Sequence, residues 1–411
     1  VAYMNKKNQR HGKNYYRIIP VFEKDGIDRT TPCYSPDGKE IAFVENRNIL
    51  KVYNIASKEV RQITDGTQHY DTDDWGMDYE WSPDGQWFVI KLITNMHDPY
   101  SDVGIVKADG SMKIYNITND GYMAGNAHWA LDGNAVIFSS DRYGMRSHAS
   151  WGSQNDAFIA FMNQDAYDKF RLSKEEYALM KETEKGSKDE KKDDAKEDKK
   201  GGKKDEKKEE NDLKTIEIDL EHLEDRVRRL TPMSSSLSGI ALSKDGDKLY
   251  FMSSFEKGYD LWELDVRERS MKILKKMGQG GASLKWDKKC ENLFLLSGGN
   301  LQTVDPKSGK STSIKYDATM QLNLAEEREY MFNHVFQQIE REFFMTDCHG
   351  VDTKALKEAY RPFLEHINNN EDFSEMLSEI LGELNVSHTG SGYRPSPKNP
   401  DATAEFGVLL N

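Results

Sequence analysis

The stretch that decides the fold is WSPDGQWFVI, residues 81–90. A tryptophan ends one apolar segment, Ser-Pro-Asp-Gly follows, and a run of β-forming residues comes next. Proline fixes φ in such a turn and glycine accepts a positive φ, so the pattern predicts a tight turn between two strands. The pattern recurs as YSPDGKEIAF at 34–43, WALDGNAVIF at 129–138, LSKDGDKLYF at 242–251 and WDKKCENLFLL at 286–296.

The spacing of this repeat matches a propeller blade. Its aspartates are separated by 47, 48, 113 and 42 residues and are Asp37, Asp84, Asp132, Asp245 and Asp287. Each hairpin precedes a second strand pair, such as 49–54 with 59–64. Four short strands in roughly 40–50 residues are typical of a β-propeller blade, with a β-sandwich as the alternative. We predict a propeller over residues 1–318, with at least five blades from residue 30 onward and the leading residues in a further blade.

The long gap between the third and fourth repeats holds a charged insertion. Residues 185–210 contain 11 Lys and 10 Asp or Glu and almost no apolar side chain. Such a composition predicts a disordered loop over about 181–211. Because its charges nearly balance, it is not a nucleic-acid tail. We assign it to the fourth blade and expect the β pattern to resume at 213–218.

Composition narrows the function classes. The 411-residue chain has a net charge of −13, which disfavours nucleic acid and anionic membranes as partners. It lacks an apolar run of about 18 residues, so no spanning helix is predicted. Three cysteines, Cys33, Cys290 and Cys348, are too few for a disulfide framework or a cysteine-rich zinc site. We expect no cofactor and a cytoplasmic location, with the periplasm as the alternative because the true N-terminus is expected to lie upstream.

Two residue patterns resemble metal sites but lack the required spacing. Four carboxylates fall in one blade loop: Asp71, Asp73, Asp74 and Asp78. They do not follow EF-hand spacing, so we interpret them as a solvated loop. Four histidines are distributed over the blades: His69, His97, His128 and His148. They lack the two-His-plus-acid spacing of a zinc helix, and His128 beside Trp129 indicates blade packing. We therefore predict no metal site.

Beyond residue 318 the apolar period changes from two to about 3.6, which predicts a helical domain over 319–394. The first helix starts at Glu326, and its apolar face comprises Phe332, Val335, Phe336, Ile339 and Phe343. The second is capped by Asp352 and kinked or restarted at Pro362. Its inward residues are Leu356, Ala359, Tyr360, Phe363, Leu364 and Ile367. The third starts at Asp372 and stops near Asn385, with a stripe of Phe373, Met376, Leu377, Ile380, Leu381 and Leu384.

A Ser-His pair follows the third predicted helix. Ser387 and His388 lie in VSHTGSGY, residues 386–393. Loops held by rigid elements often carry catalytic residues. The imidazole ionises near neutrality and can take a proton from a hydroxyl and return it to a leaving amine. The pair is therefore the candidate catalytic position.

The helical segment resembles a known peptidase family. Within 327–393 the chain carries Gly350-Val351-Asp352, Tyr360-Arg361-Pro362 and Gly382-Glu383-Leu384, followed by Ser387-His388. This order is similar to the first core domain of tricorn protease and its bacterial homologues, which also follows a β-propeller. The chain departs from the family pattern at Glu342 (often Asp), at Thr353 (Trp) and at Thr389-Gly390 (Ala-Tyr).

The resemblance implies a serine peptidase of the tricorn and C-terminal-processing clan. It implies that His388 is the general base and that Ser387 is its partner through a glutamate. It also implies that the nucleophilic serine and that glutamate lie beyond Asn411, in a second core domain after a PDZ-like module, with 395–411 leading into that module. The chain alone would then be inactive. Expected partners are unfolded peptides or oligopeptides filtered through the propeller, the downstream domains and further copies of the chain in a homo-oligomer.

Three alternatives remain open. A propeller can serve as a non-catalytic protein-binding module, because fold does not fix function. A prolyl-oligopeptidase-like enzyme also pairs a propeller with a hydrolase, but no Gly-x-Ser-x-Gly elbow follows a strand here. A Cys-His hydrolase would use Cys348 with His349 or His388, although cysteine is commonly a buried apolar side chain.

Overall fold

The computed structural model describes residues 2–10, 13–23, 25, 27–69, 77–93, 100–147, 152–183, 214–287, 289–316 and 321–395, with side chains from residue 20 onward. It divides into two compact units, Val1–Lys315 and Tyr316–Asn411, which are treated separately below. Within those ranges no helix is both long and apolar enough to cross a membrane. The predicted boundaries at 318 and 394 stay a prediction.

The first unit is built from antiparallel sheets. Strands β1 (Ala2–Arg10) and β2 (Lys13–Pro20) form a two-stranded sheet. Five four-stranded sheets follow, named blades A to E in chain order. Blade A contains β3 (Arg29–Tyr34), β4 (Glu40–Glu45), β5 (Ile49–Asn54) and β6 (Val60–Gln62), and blade B contains β7 (Tyr79–Trp81), β8 (Trp87–Ile93), β9 (Ser101–Lys107) and β10 (Ile114–Asn116). Blade C contains β11 (Ala124–Ala130), β12 (Ala135–Ser140), β13 (Asp156–Phe161) and β14 (Val227–Arg229), and blade D contains β15 (Ser236–Leu242), β16 (Lys248–Glu256), β17 (Gly258–Asp265) and β18 (Met271–Gln279). Blade E contains β19 (Ser283–Trp286), β20 (Leu293–Ser297), β21 (Asn300–Val304) and β22 (Ser311–Ser313). The predicted mainly β fold, a propeller followed by a C-terminal helical region, is confirmed, and the described residues form five blades where at least five were predicted.

The repeated turn closes on its own polar groups. In blade B the Ser82 hydroxyl donates to Asp84 Oδ1 at 2.5 Å and accepts the Trp87 amide at 2.9 Å. Asp84 Oδ1 also accepts the Gln86 amide at 3.1 Å, and Gly85 adopts φ 71°. Blades A and D repeat this bonding with Ser35–Asp37 and Ser243–Asp245. The turn residues therefore specify a rigid hairpin rather than a binding surface.

The turn of blade E shows that Asp287 is not equivalent to the other turn aspartates. Asp287 occupies the serine position, because its amide donates to the Asn292 carbonyl as the Ser243 amide donates to that of Lys248. Cys290 occupies the glycine position and carries a left-handed φ of 56°. The predicted repeat aligned Asp287 with Asp245, 42 residues before it, but Asp287 aligns with Ser243. In this turn the aspartate stands two positions earlier than the aspartates of blades A, B and D.

Successive blades are joined through the first strand of each. Three indoles donate to backbone carbonyls of the preceding blade: Trp81 to Cys33 at 3.4 Å, Trp129 to Glu80 at 3.2 Å and Trp286 to Leu242 at 2.7 Å. Four clusters of buried apolar side chains lie between neighbouring blades. This burial removes apolar surface from water and supplies the main stabilisation of the propeller.

The insertion lies between β13 and β14, in the third of the five blades and not in the fourth as predicted. It begins with helix α1 (Gln164–Arg171), capped by Asn163, and a second helix, α2, over 174–183. The predicted disordered stretch lies outside the described residues from 184 onward, and residues 181–183 are helical.

The return of the insertion is not the strand predicted at 213–218. Residues 214–220 have no regular secondary structure. The Ile216 amide donates to Asp84 Oδ2 at 2.9 Å, and the Asp219 amide donates to the Met162 carbonyl. A Cβ at Gly133 would overlap the buried Ile216 side chain. The segment therefore docks on the blade turns through contacts distant in sequence instead of pairing with a strand.

The second unit is a small helical bundle. It contains α3 (Leu324–Glu342), α4 (Thr353–Tyr360), a 3₁₀ turn (Arg361–His366) and α5 (Asn370–Gly382). Asp352 caps α4 as predicted, by accepting the Lys354 and Ala355 amides. Asn369, not Asp372, caps α5, because the Asp372 amide donates to Asn369 Oδ1 at 2.7 Å. The buried cluster comprises Phe332, Phe336, Ile339, Cys348, Phe373, Met376, Leu377, Ile380 and Leu384.

Two residues predicted to face inward are exposed. Phe363 is 56% exposed, and Ala359 is also exposed. The predicted restart at Pro362 explains the result for Phe363, because the chain continues there as a 3₁₀ turn with three residues per turn. Because this turn has fewer residues per turn than an α-helix, Phe363 points away from the apolar cluster, which Leu364 contacts.

Candidate functional site

Ser387 and His388 lie in the turn that follows α5, and both are exposed. Among the residues that the structure describes, none forms a hydrogen bond with the Ser387 hydroxyl or the His388 ring. The structure therefore brings this pair to the surface of the helical unit without assigning either side chain a packing role.

The backbone of this loop takes two left-handed turns. Asn385 has φ 47° and His388 has φ 66°. Positive φ is uncommon for residues other than glycine, although Asn and His are among those enriched there. Such conformations persist only where the surroundings impose them. In this loop, contacts at both ends hold the backbone in place.

The loop begins at a buried anchor. Leu384 is 1% exposed within the apolar cluster. Its carbonyl lies 2.9 Å from His349 Nδ1, and because a carbonyl can only accept, that nitrogen carries the proton. The His349 ring stands edge-on to Phe343 and Phe344, with centroids 5.3 Å away in each case. The end of α5 is thus fixed immediately before the Ser-His pair.

The loop ends at a second anchor on α5. The Ser391 amide donates to Ser378 Oγ at 3.2 Å, and Ser378 Oγ donates to the Ser391 carbonyl at 3.1 Å. Within the loop, Thr389 Oγ1 donates to the Val386 carbonyl at 3.0 Å. The exposed pair is therefore carried on a short segment held at both ends.

The Cys-His alternative finds no support in these positions. Cys348 is 6% exposed and packs in the apolar cluster. The adjacent His349 directs Nδ1 at the Leu384 carbonyl. Nothing in the described part of the chain pairs the Cys348 thiol with an imidazole.

A histidine–carboxylate pair in the propeller was missed by sequence reasoning. His128 Nδ1 lies 2.8 Å from Glu80 Oε2, and Glu80 Oε1 accepts the Trp129 amide at 3.2 Å. The pair links the first strands of blades B and C, so the predicted packing role of His128 takes the form of a hydrogen bond. The available signal was that Glu80 and His128 both immediately precede the tryptophan of their repeat.

The one thiol near this pair is not activated. Burial raises the pKa of the Cys33 thiol, Lys285 opposes that rise and Glu80 adds to it. A raised pKa leaves less thiolate at neutral pH, and the thiolate is the nucleophilic form. Cys33 is therefore a poor nucleophile.

The propeller also carries a charged cleft of 970 Å³ beside the insertion. Two of its cations have partners: Lys181 lies 2.7 Å from Asp247, and Arg267 donates to the Leu172 carbonyl at 2.7 Å. Burial alone would lower the pKa of Lys181, but the hydrogen bond to Asp247 and the charges of Asp247, Tyr177 and Asp245 together outweigh it and raise the pKa. These charges hold the insertion helices against blade D.

The possible metal ligands can be followed only in part, because most of them lie outside the described residues. Within the described ranges, no group of three or more His, Cys, Asp or Glu side chains is arranged to hold a metal ion. Asp78 is exposed and His69 is buried. The other predicted candidates, Asp71, Asp73, Asp74, His97 and His148, lie outside the described residues.

Comparison with known proteins addresses the helical unit most directly. Residues 324–382 match the sequence profile of the tricorn protease C1 domain. A 39-residue segment is 44% identical to a putative tricorn protease homolog 2 of Streptomyces coelicolor, covering 10% of this chain and 3% of that protein.

Among solved structures, the tricorn protease crystal structure matches with a TM-score of 0.59 at 13% identity, covering 93% of this chain and 35% of that one. A puromycin-hydrolyzing peptidase from Mycobacterium tuberculosis has a TM-score of 0.46 at 13% identity, covering 75% of this chain and 40% of that one. The chain thus spans about a third of tricorn protease and far less of its curated relative.

The chain thus combines a β-propeller with a helical unit, and residues 324–382 of that unit are similar to the tricorn protease C1 domain. The resemblance found in the sequence is confirmed.

Proposed function

We propose that this chain supplies the propeller and the general base of a tricorn-type serine peptidase. His388 takes the proton of a serine hydroxyl as that hydroxyl attacks a peptide carbonyl, and then returns the proton to the leaving amine. Ser387 contacts a glutamate that orients the site. The nucleophilic serine and the glutamate come from polypeptide outside these 411 residues, so the chain alone does not hydrolyse peptides.

The observation that carries the proposal is the exposed His388 ring on an anchored loop that directly follows the segment similar to the tricorn C1 domain, residues 324–382. An imidazole that must meet a hydroxyl from another segment has to lie at the surface of its own domain, as this ring does. A neighbouring acceptor would then fix its tautomer, as in other Ser-His sites.

The propeller has the substrate-handling role in this proposal. Unfolded peptides or oligopeptides pass through or along it before they reach the site, and further copies of the chain form a homo-oligomer. We place the enzyme in the cytoplasm, with the periplasm as the alternative.

The test compares the 411-residue chain with a version extended downstream through its PDZ-like and second core domains, using fluorogenic peptides. We expect no cleavage by the short chain, and a loss of about 10³-fold in kcat on His388→Ala in the extended protein. The matched control is His366→Ala, which removes an exposed imidazole from the same helical unit and should leave kcat within about twofold.

Two results would overturn the proposal. One is cleavage by the short chain that survives His388→Ala. The other is an extended protein that binds peptides but never cleaves them, which would favour the non-catalytic binding module.

A further inference from the structure

We infer that Ser378 is a positioning residue for His388, acting through the backbone of Ser391. The inference rests on the proposed function, because it concerns the same imidazole. Ser378 touches neither member of the Ser-His pair. It fixes the far end of the loop on which they stand.

The geometry separates Ser378 from an ordinary helical serine. Serine in a helix commonly bonds back to a carbonyl of its own preceding turn. Ser378 Oγ instead bonds both the amide and the carbonyl of Ser391, at 3.2 and 3.1 Å. One half-buried hydroxyl thereby fixes both backbone polar groups of a residue 13 positions away.

The segment between the anchors is short. Leu384 is held by the core and by His349, and Ser391 is held by Ser378. The intervening residues 385–390 contain His388 in its left-handed conformation. Without the Ser378 anchor, the remaining side-chain hydrogen bond from this segment to α5, within the described part of the chain, is the 3.4 Å bond from Thr389 Oγ1 to the Leu381 carbonyl. The segment can then relax toward ordinary backbone conformations, and the ring direction becomes more variable.

Variable ring direction is costly for a general base. Its nitrogen must lie within hydrogen-bond reach of the hydroxyl proton, and a misplacement of about 1 Å can cost up to about 100-fold in rate. Substrate binding depends less on this atom. Loss of the anchor should therefore lower kcat more than it raises KM.

A matched pair of serines on α5 provides the test. Ser374 lies one turn before Ser378 and contacts only the Ser391 hydroxyl, at 3.1 Å. In the 411-residue chain, hydrogen exchange of the Ser391 amide should accelerate about fivefold in Ser378→Ala and remain unchanged in Ser374→Ala. In the extended protein, Ser378→Ala should lower kcat about tenfold with KM within about twofold, and Ser378→Thr should restore kcat to within about threefold.

The outcomes distinguish this inference from the proposed function. Unchanged exchange in Ser378→Ala, or equal acceleration in Ser374→Ala, overturns the anchor even if His388 is catalytic. Faster exchange with unchanged kcat, while His388→Ala is inactive, shows that the anchor does not position the base. Full activity of His388→Ala defeats the proposed function instead, and removes the base that Ser378 was to position.

Discussion

The Ser-Pro-Asp-Gly turn of blade B and the Ser-His loop of the helical unit use similar residues in opposite ways. Ser82 is fully buried, and its hydroxyl bonds Asp84 and the Trp87 amide. Ser387 and His388 are exposed, and no described residue bonds their side chains. In the turn the left-handed position is taken by Gly85, whereas in the loop it is taken by His388 itself.

This difference distinguishes a polar side chain that stabilises the fold from one that is available for a reaction. A serine whose hydrogen-bonding capacity is used by its own turn stabilises a hairpin and has nothing left for a ligand. A polar pair left open on a segment with fixed ends is free to meet an external group. Residue type alone does not distinguish the two cases, but the partners of each side chain do.

The largest loss of stability is expected from substitution of Ser82 in the blade B turn. Ser82→Ala removes the hydroxyl that accepts the Trp87 amide and takes one hydrogen bond from Asp84, which keeps those from the Gln86 and Ile216 amides. It should lower the free energy of unfolding of the propeller by about 2 kcal/mol. Urea unfolding followed by tryptophan fluorescence measures this, because all seven tryptophans lie within the first 315 residues.

The matched variant for the loop is Ser387→Ala. It removes an exposed hydroxyl and should change the stability of the helical unit by less than about 0.5 kcal/mol, measured by circular dichroism at 222 nm. A loss comparable to that at Ser82 would mean that Ser387 is a structural residue, and the contrast between turn and loop would fail.

A smaller effect is expected from acid. Burial alone would raise the pKa of Asp37 and Asp245, but hydrogen bonds from Ser35 and Ser243 and from nearby amides outweigh it and lower both pKa values. A carboxylate whose pKa is lowered on folding contributes stability above its unfolded pKa, about 3.9, and loses it as the pH falls through the folded value.

The propeller should therefore keep constant stability from pH 7 to about pH 5 and lose stability below about pH 4. Urea midpoints measured across this range provide the test. Asp37→Asn and Asp245→Asn should each reduce the fall of the urea midpoint below about pH 4. An unchanged fall in the double variant would show that the turn carboxylates do not contribute to it.

A small gain in stability is expected at Cys290, in the turn of blade E. This residue holds the glycine position of the blade E turn at φ 56°, where Gly38, Gly85 and Gly246 stand in other blades. Cys290→Gly should raise the stability of the propeller by about 0.5 kcal/mol, because glycine adopts this conformation without steric cost. A decrease in the urea midpoint would show that packing of the thiol outweighs backbone strain.

Local patterns predicted the fold well and the contacts between distant segments poorly. The repeat gave the blades, and the change of apolar period gave the helices. The docking of Ile216 on Asp84 joins residues 132 positions apart, and no periodicity signals such a contact. In blade E, Asp287 was aligned with the turn aspartates of the other blades, although it occupies the position of their serine.

The candidate site was predicted only in part. The position of Ser387 and His388 after a helix followed from the sequence, and their role stays a prediction. Ser378 gave no signal, because a serine inside an amphipathic helix resembles any half-exposed position. Its partner is set by the path of the chain after α5, which propensities do not determine.

The position of the insertion also constrains how the protein is made. Blade C receives its first three strands in order, but β14 follows only after the 65 residues 162–226. At about 5–20 residues per second, translation of that stretch takes roughly 3–13 s. During that interval the outer edge of β13 lacks its neighbour, and an unpaired edge can recruit foreign strands. On the ribosome, blade C is therefore the blade whose sheet waits longest for its last strand.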